Sequence, residues 1–284
     1  MKFLCKTSKL QQALNQVSRA ISNQQALPIL GNVLIHVEGK RCTISATDLE
    51  LSIVTSFEAS IENEGKITVP AKAILNFAQY NTDEEVLLET HEGTQLKLTS
   101  AHAKTVISGE AASEYPTISR IEKETSFTLE AQPLLEALHM VTFASAKTTL
   151  RPVLSGVYIH TDKNNLVLVA TDSYRLSEYK LPINGDAADI SCIIPTKVLE
   201  ELKSILGSYK GEKKTKGDDV DIAPETNVAT INIVLSHQQI EVTVGHTQLL
   251  SRLIDGKFPN YKQIIPSDKK TKIAVSTKEL ATIT

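Results

Sequence analysis

The chain has 284 residues, 41% of them hydrophobic, and a formal net charge of −3 at pH 7. This length suffices for two domains of ordinary size, each with a hydrophobic core. The charge argues against a protein coated in positive charge for tight nucleic-acid binding, although a local basic face remains compatible with it. No apolar run approaches the roughly 18 residues of a membrane span, so no membrane partner is expected.

The chain begins with a predicted strand, Lys2 to Lys6, in which polar and apolar residues alternate. Ser8 is expected to cap the helix that follows. The apolar positions of this helix are spaced by four, three and four residues, as on one face of an amphipathic helix; they are Leu10, Leu14, Val17 and Ile21. The opposite face has no acidic residue and is interpreted, for this helix alone, as solvated surface; it carries Lys9, Gln12, Gln16 and Arg19.

The three cysteines predict a reducing environment. Cys5, Cys42 and Cys192 lack the CxxC spacing of metal or redox sites and lie within apolar strand patterns, so we interpret them as buried, reduced thiols. Met1 leads straight into the first strand, without the basic and apolar leader of a secreted protein. Both observations predict a cytoplasmic protein.

The rest of the first half alternates between strand and helix patterns. Residues 29–57 predict three short strands, with turns at Gly39 and at Asp48. Pro70 then stands in the first turn of a second helix, where its missing N–H costs nothing, with Lys72 just behind it. Residues 86–107 alternate around a turn at 92–93, which is typical of antiparallel hairpins. The polar segment 121–125 is predicted to link this half to the next.

The second half of the chain repeats the first. The strand end Ala-Thr-Asp at 46–48 recurs at 170–172, an offset of 124 (172 − 48), and this offset also sets Phe3 on Phe127. VPAKAIL at 69–75 matches IPTKVLE at 194–200 with an offset of 125, which sets Lys72 on Lys197. Each half therefore predicts the same order of strand, helix, strands, helix and strands.

The repeat also predicts an insertion and a third copy. Tyr115 and Phe258 each precede a proline and match at an offset of 143, so the second copy carries about 18 extra residues (143 − 125). The insertion is placed within 207–227, a polar, charged and aperiodic stretch interpreted as a flexible surface loop. A third copy begins at Lys272, with Leu280 on Leu134.

The sequence predicts no catalytic residue, metal or cofactor. Asp48 and Asp172 occupy equivalent positions of the two copies, so we interpret each as a turn residue that bonds its own backbone. A hydrolase using both carboxylates is the competing interpretation, and it requires them to lie close together. GxGxxG, GxxxxGK[ST] and GxSxG are absent. HxxxH and HExxH spacings are absent among the seven histidines, which are His36, His91, His102, His139, His160, His237 and His246.

Several motifs resemble those of the bacterial sliding clamps, the beta subunits of DNA polymerase III. They are LPILGNVLI (27–35), ATDSYRL (170–176) and LIDGKFPNYKQIIP (253–266). The resemblance covers the entire chain and implies an α+β fold of tandem DNA-clamp domains, with helices on the inner face around a central hole and antiparallel sheets on the outer face. It implies domain 1 at 1–122, domain 2 at 126–266 with the insertion near 207–227, and the start of domain 3 at 271–284.

The resemblance also implies a function and partners. Such a protein is a non-catalytic, ring-forming processivity factor that tethers the replicative polymerase to duplex DNA and recruits replication and repair proteins through a peptide-binding pocket. The implied partners are double-stranded DNA without sequence preference, the polymerase III catalytic subunit, the clamp loader, repair proteins with clamp-binding peptides and, at full length, a second copy in a homodimer ring. The 284-residue chain alone is not expected to close that ring. A clamp-like scaffold that binds proteins without encircling DNA remains the alternative.

Two sets of site residues follow from the resemblance. The cations implied to face DNA are Lys9, Arg19, Lys72, Arg151, Lys197 and Lys203. The implied peptide pocket combines an apolar floor with polar groups at its edge, and its residues are Leu154, Thr171, Tyr174, Arg175, Leu176, Pro259 and Ile264. Tyr174 stands where a histidine is common and Gln263 where a basic residue is common, so a shifted peptide preference is expected.

Overall fold

The structure is a computed structural model that describes residues 1–22, 27–91, 93–118, 121–122, 124–148, 150–183, 189–210, 230–266, 268 and 270–283. The helices of the first half are α1 (Thr7–Val17) and α2 (Ala71–Tyr80), with 3-10 turns at Ser18–Ala20, Pro28–Gly31 and Ala112–Glu114. Its strands are β1 (Lys2–Lys6), β2 (Asn32–Glu38), β3 (Arg41–Thr47), β4 (Leu51–Glu58), β5 (Ser60–Asn63), β6 (Gly65–Pro70), β7 (Glu85–His91), β8 (Gln95–Thr99) and β9 (Lys104–Ser108).

The second half repeats this order. Its helices are α3 (Ala131–Val141) and α4 (Thr196–Lys210), with 3-10 turns at Thr142–Ala144, Pro152–Leu154 and Tyr261–Gln263. Its strands are β10 (Thr125–Glu130), β11 (Gly156–Asp162), β12 (Asn165–Thr171), β13 (Leu176–Pro182), β14 (Ser191–Pro195), β15 (Thr230–Leu235), β16 (Gln239–Val244) and β17 (Thr247–Arg252). A last helix, α5, spans Thr277–Ile283.

The described strands form three antiparallel sheets, and one of them crosses the boundary between the repeats. The five-stranded sheet has the order β5-β1-β7-β8-β9, and the four-stranded sheet has the order β13-β12-β11-β14. The eight-stranded sheet runs β10-β15-β16-β17-β4-β3-β2-β6, so four strands of the second half join four strands of the first. The joint is the pair β17–β4, in which Leu249 lies opposite Ile53.

The helices cover the sheets as their apolar spacing predicts. Leu10, Leu14 and Val17 are fully buried, and α1 packs on α2, β3 and β4. In the second half, α3 packs on α4 and β13 in the same way. The largest buried cluster of apolar side chains includes residues of both repeats, so the two halves share a continuous core. These features confirm the predicted α+β class with helices against antiparallel sheets.

Two details of the first helix differ from the sequence prediction. Ser8 does not cap α1, because the helix begins at Thr7 and its N-cap residue is Lys6, without a side-chain bond. The Thr7 N–H instead donates to the backbone carbonyl of Glu84, 2.9 Å away, so another segment of the chain satisfies this helix end. Gln16 is not solvated: it is 6% exposed, because the second repeat packs over it.

Two further predictions meet the structure in part. The start of the predicted insertion, 207–210, is the end of α4 and not a loop, while 211–227 lie outside the described residues. The third copy shows its helix, α5, but not the strand before it: residues 271–276 have no strand partner. A strand needs a neighbour for its backbone hydrogen bonds, and β1 and β10 each have one.

The cysteines are free. Cys5 and Cys42 are buried and Cys192 is half-buried. Burial raises the pKa of the Cys5 and Cys192 thiols to about 12, because the thiolate loses its hydration. None of the helices in the described part of the chain is long and apolar enough to cross a membrane.

Candidate functional sites

The six cations predicted to face DNA lie on helices or beside helix ends. Lys9 is in α1, Lys72 is in the first turn of α2, and Lys197 and Lys203 are in α4. Arg19 lies in the 3-10 turn after α1, and Arg151 directly precedes the turn at 152–154. The six cations thus come from both repeats.

Three of the six cations already have acidic partners. The Arg19 guanidinium Nη1 lies 3.1 Å from the Glu201 carboxylate, and the Lys197 Nζ lies 2.7 Å from Asp48 Oδ2; both pairs join the first repeat to the second. Lys203 is only 15% exposed and bonds the Glu200 carboxylate at 2.9 Å. Exposed ion pairs contribute little to stability, so a phosphate can compete for a partly exposed cation.

The other three cations are available to a ligand. Lys9, Lys72 and Arg151 are exposed, and none has an acidic partner among the described residues. A cation that gives up no existing ion pair keeps its full charge for a phosphate. The available positive charge on this surface is therefore smaller than the six-residue set suggests.

Asp48 and Asp172 form matching turns at the ends of β3 and β12. The Asp48 Oδ1 accepts hydrogen bonds from the N–H groups of Glu50 and Leu51, at 3.1 and 2.8 Å. The Asp172 Oδ1 accepts the corresponding two, from Tyr174 and Arg175, both at 3.0 Å. The interpretation as turn residues is therefore correct.

The second oxygen of each carboxylate is also occupied, in Asp48 by a residue of α4 and in Asp172 by a residue of its own turn. Asp48 Oδ2 binds Lys197, and Asp172 Oδ2 accepts from Arg175 Nε at 3.0 Å. Hydrogen bonds from the backbone N–H groups of Arg175 and Tyr174 lower the pKa of Asp172. Each carboxylate is neutralised by a different cation, and this geometry gives no support to a shared hydrolytic centre.

The predicted peptide pocket overlies a second, smaller apolar cluster. Leu154 is one of its buried members and Leu176 is half-buried against it. The cluster draws on the turn at 152–154, on β12 and β14 and on the segment after β17; its buried members are Leu154, Val167, Val169, Ile193, Phe258 and Tyr261. Leu154 and Leu176, which are 22 positions apart in sequence, are thus brought together (176 − 154).

The polar edge of this pocket is held by local bonds. The Thr171 hydroxyl donates to the Arg175 carbonyl at 2.7 Å and accepts from the Ser173 N–H at 3.1 Å. The Arg175 guanidinium stacks over the Phe143 ring, 5.7 Å from its centroid. Tyr174 is 98% exposed, so its ring is free to contact a ligand.

Pro259 and Ile264 lie on the exposed side of the same region. Pro259 lines a groove of about 1360 Å³ together with Phe258 and Tyr261. Ile264 is 68% exposed and is not part of the apolar cluster. The structure therefore brings Leu154 and Leu176 into one apolar cluster, whereas Pro259 lines a groove whose lining includes none of the other six predicted pocket residues.

Sequence reasoning missed the aromatic side of this region. Tyr158 stacks on Phe258 with ring centroids 5.1 Å apart, and on His160 at 4.8 Å. The Tyr261 hydroxyl donates to the Glu178 carboxylate at 2.6 Å. Tyr158 and His160 alternate in β11 on the face away from the main core, and this spacing of two was the available signal.

The described residues contain no group of three or more histidine, cysteine, aspartate or glutamate side chains that could hold a metal ion.

Two family models match the chain. The model for the N-terminal domain of the DNA polymerase III beta subunit matches residues 1–119, and the model for its central domain matches residues 128–260.

Relatives and solved structures extend this similarity to nearly the whole chain. The beta sliding clamp of Haemophilus influenzae is 30% identical over 282 residues, which cover 99% of this chain and 72% of the relative. That of Vibrio cholerae is 29% identical over 281 residues, with the same coverage. The DNA polymerase sliding clamp of Bacillus subtilis superposes with a TM-score of 0.89 at 25% identity, covering 99% of this chain and 72% of that structure. The chain thus spans about 72% of the length of these proteins.

Proposed function

Since this chain belongs to the family of the DNA polymerase III beta subunit, we propose that it acts as a DNA sliding clamp. In this role it is a non-catalytic, cytoplasmic processivity factor that forms a ring and tethers the polymerase III catalytic subunit to duplex DNA. The clamp loader and repair proteins with short clamp-binding peptides are its further partners.

One observation carries this proposal: the two repeats are joined edge to edge in one sheet, and their helices meet on one side of it. The β17–β4 pair makes the eight-stranded sheet continuous across the repeats. On the helix side, Arg19 bonds Glu201 of α4. Repeated domains joined in this way give one layer of helices for DNA and one layer of sheets for solvent.

We further propose that the helix side contacts phosphates. Lys9, Lys72 and Arg151 supply free charge, whereas Arg19, Lys197 and Lys203 lie on the same side and contribute only to the extent that phosphate displaces their carboxylate partners. Contacts to phosphate carry no sequence information and permit sliding. Topological retention by a ring needs few such contacts, which agrees with the net charge of −3.

The peptide pocket is the proposed site for protein partners. Leu154 and Leu176 form the floor, and Pro259 and Ile264 extend it outward. Thr171 and Arg175 hold polar groups of the peptide, and the exposed Tyr174 adds an aromatic contact in place of a histidine. A concave apolar surface with a few polar groups at its edge is the usual form of a site for short peptides.

A peptide titration tests this function. A fluorescent polymerase-tail peptide with paired hydrophobic residues is titrated into the wild type and into a Leu176→Ala, Pro259→Ala double variant. We expect at least a tenfold loss of affinity, because each lost apolar contact in such a pocket costs on the order of 1 to 2 kcal/mol. The matched control is Leu27→Ala with Pro28→Ala, an exposed leucine and proline far from the pocket in sequence.

Equal affinities of the wild type and the pocket variant, with circular dichroism showing that both are folded, would remove this site from consideration. The alternative function, a clamp-like scaffold, shares the peptide result but differs in DNA retention. A clamp that has been loaded on circular duplex DNA stays on it when the salt concentration is then raised, whereas a scaffold that does not encircle DNA dissociates.

A further inference from the structure

One buried tyrosine connects the two parts of the predicted peptide pocket. Tyr261 is 4% exposed and belongs to the same apolar cluster as Leu154 and Leu176. It also lines the groove that contains Pro259. Its backbone N–H donates to the Pro259 carbonyl at 2.7 Å, and its carbonyl accepts from the Ile264 N–H at 3.0 Å. The positions of Pro259 and Ile264 relative to the cluster therefore depend on how Tyr261 is held.

The side chain of Tyr261 is held by an acidic residue of β13. Its hydroxyl donates to Glu178 Oε2 at 2.6 Å. Successive side chains alternate between the two faces of a strand, so Glu178 lies on the same face of β13 as Leu176. Glu178 is opposite Val169, a buried member of the apolar cluster. The bond thus ties the turn at 261–263 to the strand that supplies Leu176 to the pocket.

The acceptor of this hydrogen bond is a carboxylate, which makes the bond strong and directional. Hydrogen bonds to a carboxylate are shorter and stronger than those between neutral groups. Burial and the bond to Glu178 both raise the pKa of Tyr261, so its hydroxyl stays protonated and continues to donate. A buried hydroxyl that moves away from its acceptor is left unpaired, at a cost in free energy. Glu178 therefore favours one position of the turn over others.

The part of this segment before the turn is fixed by other contacts. Gly256 has a φ of +128°, and a Cβ at this residue would meet the Val153 side chain at 2.7 Å, so the backbone lies close against the turn at 152–154. Phe258 stacks on Tyr158 with ring centroids 5.1 Å apart. The Tyr261 side chain is the corresponding contact for the residues that follow.

We propose that Glu178 and Tyr261 are positioning residues of the peptide pocket. By holding the turn at 261–263 on β13, their bond keeps Pro259 and Ile264 where they meet a peptide bound on the cluster. Tyr261 is buried, so it acts through its neighbours rather than by touching the peptide. This inference rests on the proposed function and adds to its site two residues outside the predicted pocket set.

Titration of the polymerase-tail peptide into variants of the 284-residue chain tests this. Tyr261→Phe removes the donor and Glu178→Leu removes the acceptor, and each should weaken peptide binding by about fivefold, the effect of losing one hydrogen bond. Glu178→Gln should stay within about twofold of the wild type, because its amide oxygen accepts the same bond. The matched control is Tyr209→Phe, which removes a hydroxyl bonded to the Val244 carbonyl at 3.2 Å and should leave peptide affinity unchanged.

A double-mutant cycle separates positioning from a general effect on stability. The second background carries Pro259→Ala and Ile264→Ala, which remove the side chains that Tyr261 is inferred to place. In this background Tyr261→Phe should weaken the remaining affinity by less than about twofold, because residues that act as a unit are not additive. A purely structural role of Tyr261 would give the same loss in both backgrounds.

Circular dichroism confirms that each variant is folded, and Tyr261→Phe, which removes a single oxygen atom, decides the test if Glu178→Leu does not fold. Wild-type affinity of Tyr261→Phe, equal losses in the two backgrounds, or a Tyr209→Phe loss as large as that of Tyr261→Phe would each overturn the inference. The proposed pocket would still stand in those cases if the Leu176→Ala, Pro259→Ala variant loses affinity. A wild type that does not bind the peptide would overturn the proposed pocket and this inference together.

Discussion

Gln16 makes a buried polar contact at the joint between the repeats. Its Oε1 accepts hydrogen bonds from the hydroxyls of Thr55, at 3.2 Å, and Thr247, at 3.0 Å. The two hydroxyls lie 2.9 Å apart, and the Tyr209 hydroxyl is 3.3 Å from that of Thr247. The Gln16 Nε2 is buried without a hydrogen-bond partner in the described structure. An unpaired buried amide group lowers the stability of the fold, so the Nε2 of Gln16 offsets part of the stability that its Oε1 contributes.

Two replacements of Gln16 separate the stabilising bonds of its Oε1 from the cost of its unpaired Nε2. Gln16→Ala should lower the free energy of unfolding by about 2 kcal/mol, because it removes two hydrogen bonds and leaves a cavity. Gln16→Met introduces the residue found at the equivalent position of the second repeat, Met140 (16 + 124). Its free energy of unfolding should stay within about 1 kcal/mol of that of the wild type, since methionine fills the space and removes the unpaired amide. Urea denaturation followed by circular dichroism measures both. An alanine variant as stable as the wild type would contradict the assigned contact.

At the scale of elements, one ion pair connects two turns near the β9 edge. His102, in the turn before β9, donates from its backbone N–H to Asp83 Oδ2 at 2.8 Å, and its ring Nδ1 lies 2.6 Å from Asp83 Oδ1. Asp83 follows α2. The side-chain hydrogen bond with Asp83 raises the pKa of His102, and the same bond is the largest cause that lowers the pKa of Asp83 to about 2.

This pair predicts a pH-dependent difference in stability. The raised pKa of His102 gives stability that is complete below its unfolded value of about 6.5 and is lost as pH rises through the folded value. The lowered pKa of Asp83 gives stability that is present above about 4 and is lost as pH falls toward about 2. The urea midpoint of His102→Ala should therefore fall further below that of the wild type at pH 5.5 than at pH 9. Equal differences at both pH values would count against the ion pair. Asp83→Asn removes the negative charge of the pair and should show the same pH dependence as His102→Ala.

The elements show what local patterns can predict. Alternation and helical spacing identified the strands and the buried face of α1, and the Ala-Thr-Asp repeat identified two turns that share the positive φ of Leu49 (76°) and Ser173 (80°). The aromatic stack of Tyr158 on Phe258 was not predicted, because it joins residues 100 positions apart (258 − 158). Burial of Gln16 was missed for the same reason: the helix period describes one helix and not the strand that covers it.

At the scale of the whole molecule, internal ion pairs limit the charge available to DNA. Arg19 is bound to Glu201 across the joint, whereas Lys9, in the helix before it, has no acidic partner among the described residues. The sequence could predict which residues are cations, but their partners depend on how the second repeat packs on the first. The continuity of the eight-stranded sheet was likewise beyond local patterns, since it depends on β17 meeting β4.

Binding of a fluorescent DNA duplex as a function of salt tests this distribution of charge. Each phosphate contact contributes about 0.9 to the slope of log affinity against log salt. Lys9→Ala should reduce the slope by about that amount, and Glu201→Gln should steepen it by a similar amount because it releases Arg19. Lys40→Ala, in the turn between β2 and β3, is the control for a loss of exposed charge. Slopes unchanged by both substitutions would exclude the helix side as the DNA-facing surface.

The β4–β17 joint also has a consequence for biosynthesis. Thr55 and Thr247, which face each other there, are 192 residues apart. At a translation rate of about 5–20 residues per second, the ribosome needs roughly 10–40 s to reach β17 after it has made β4. Throughout this time the nascent first repeat exposes the β4 edge and the apolar side chain of Ile53 near it. The newly made chain is therefore most prone to aggregation, and most dependent on chaperones, between the synthesis of β4 and that of β17.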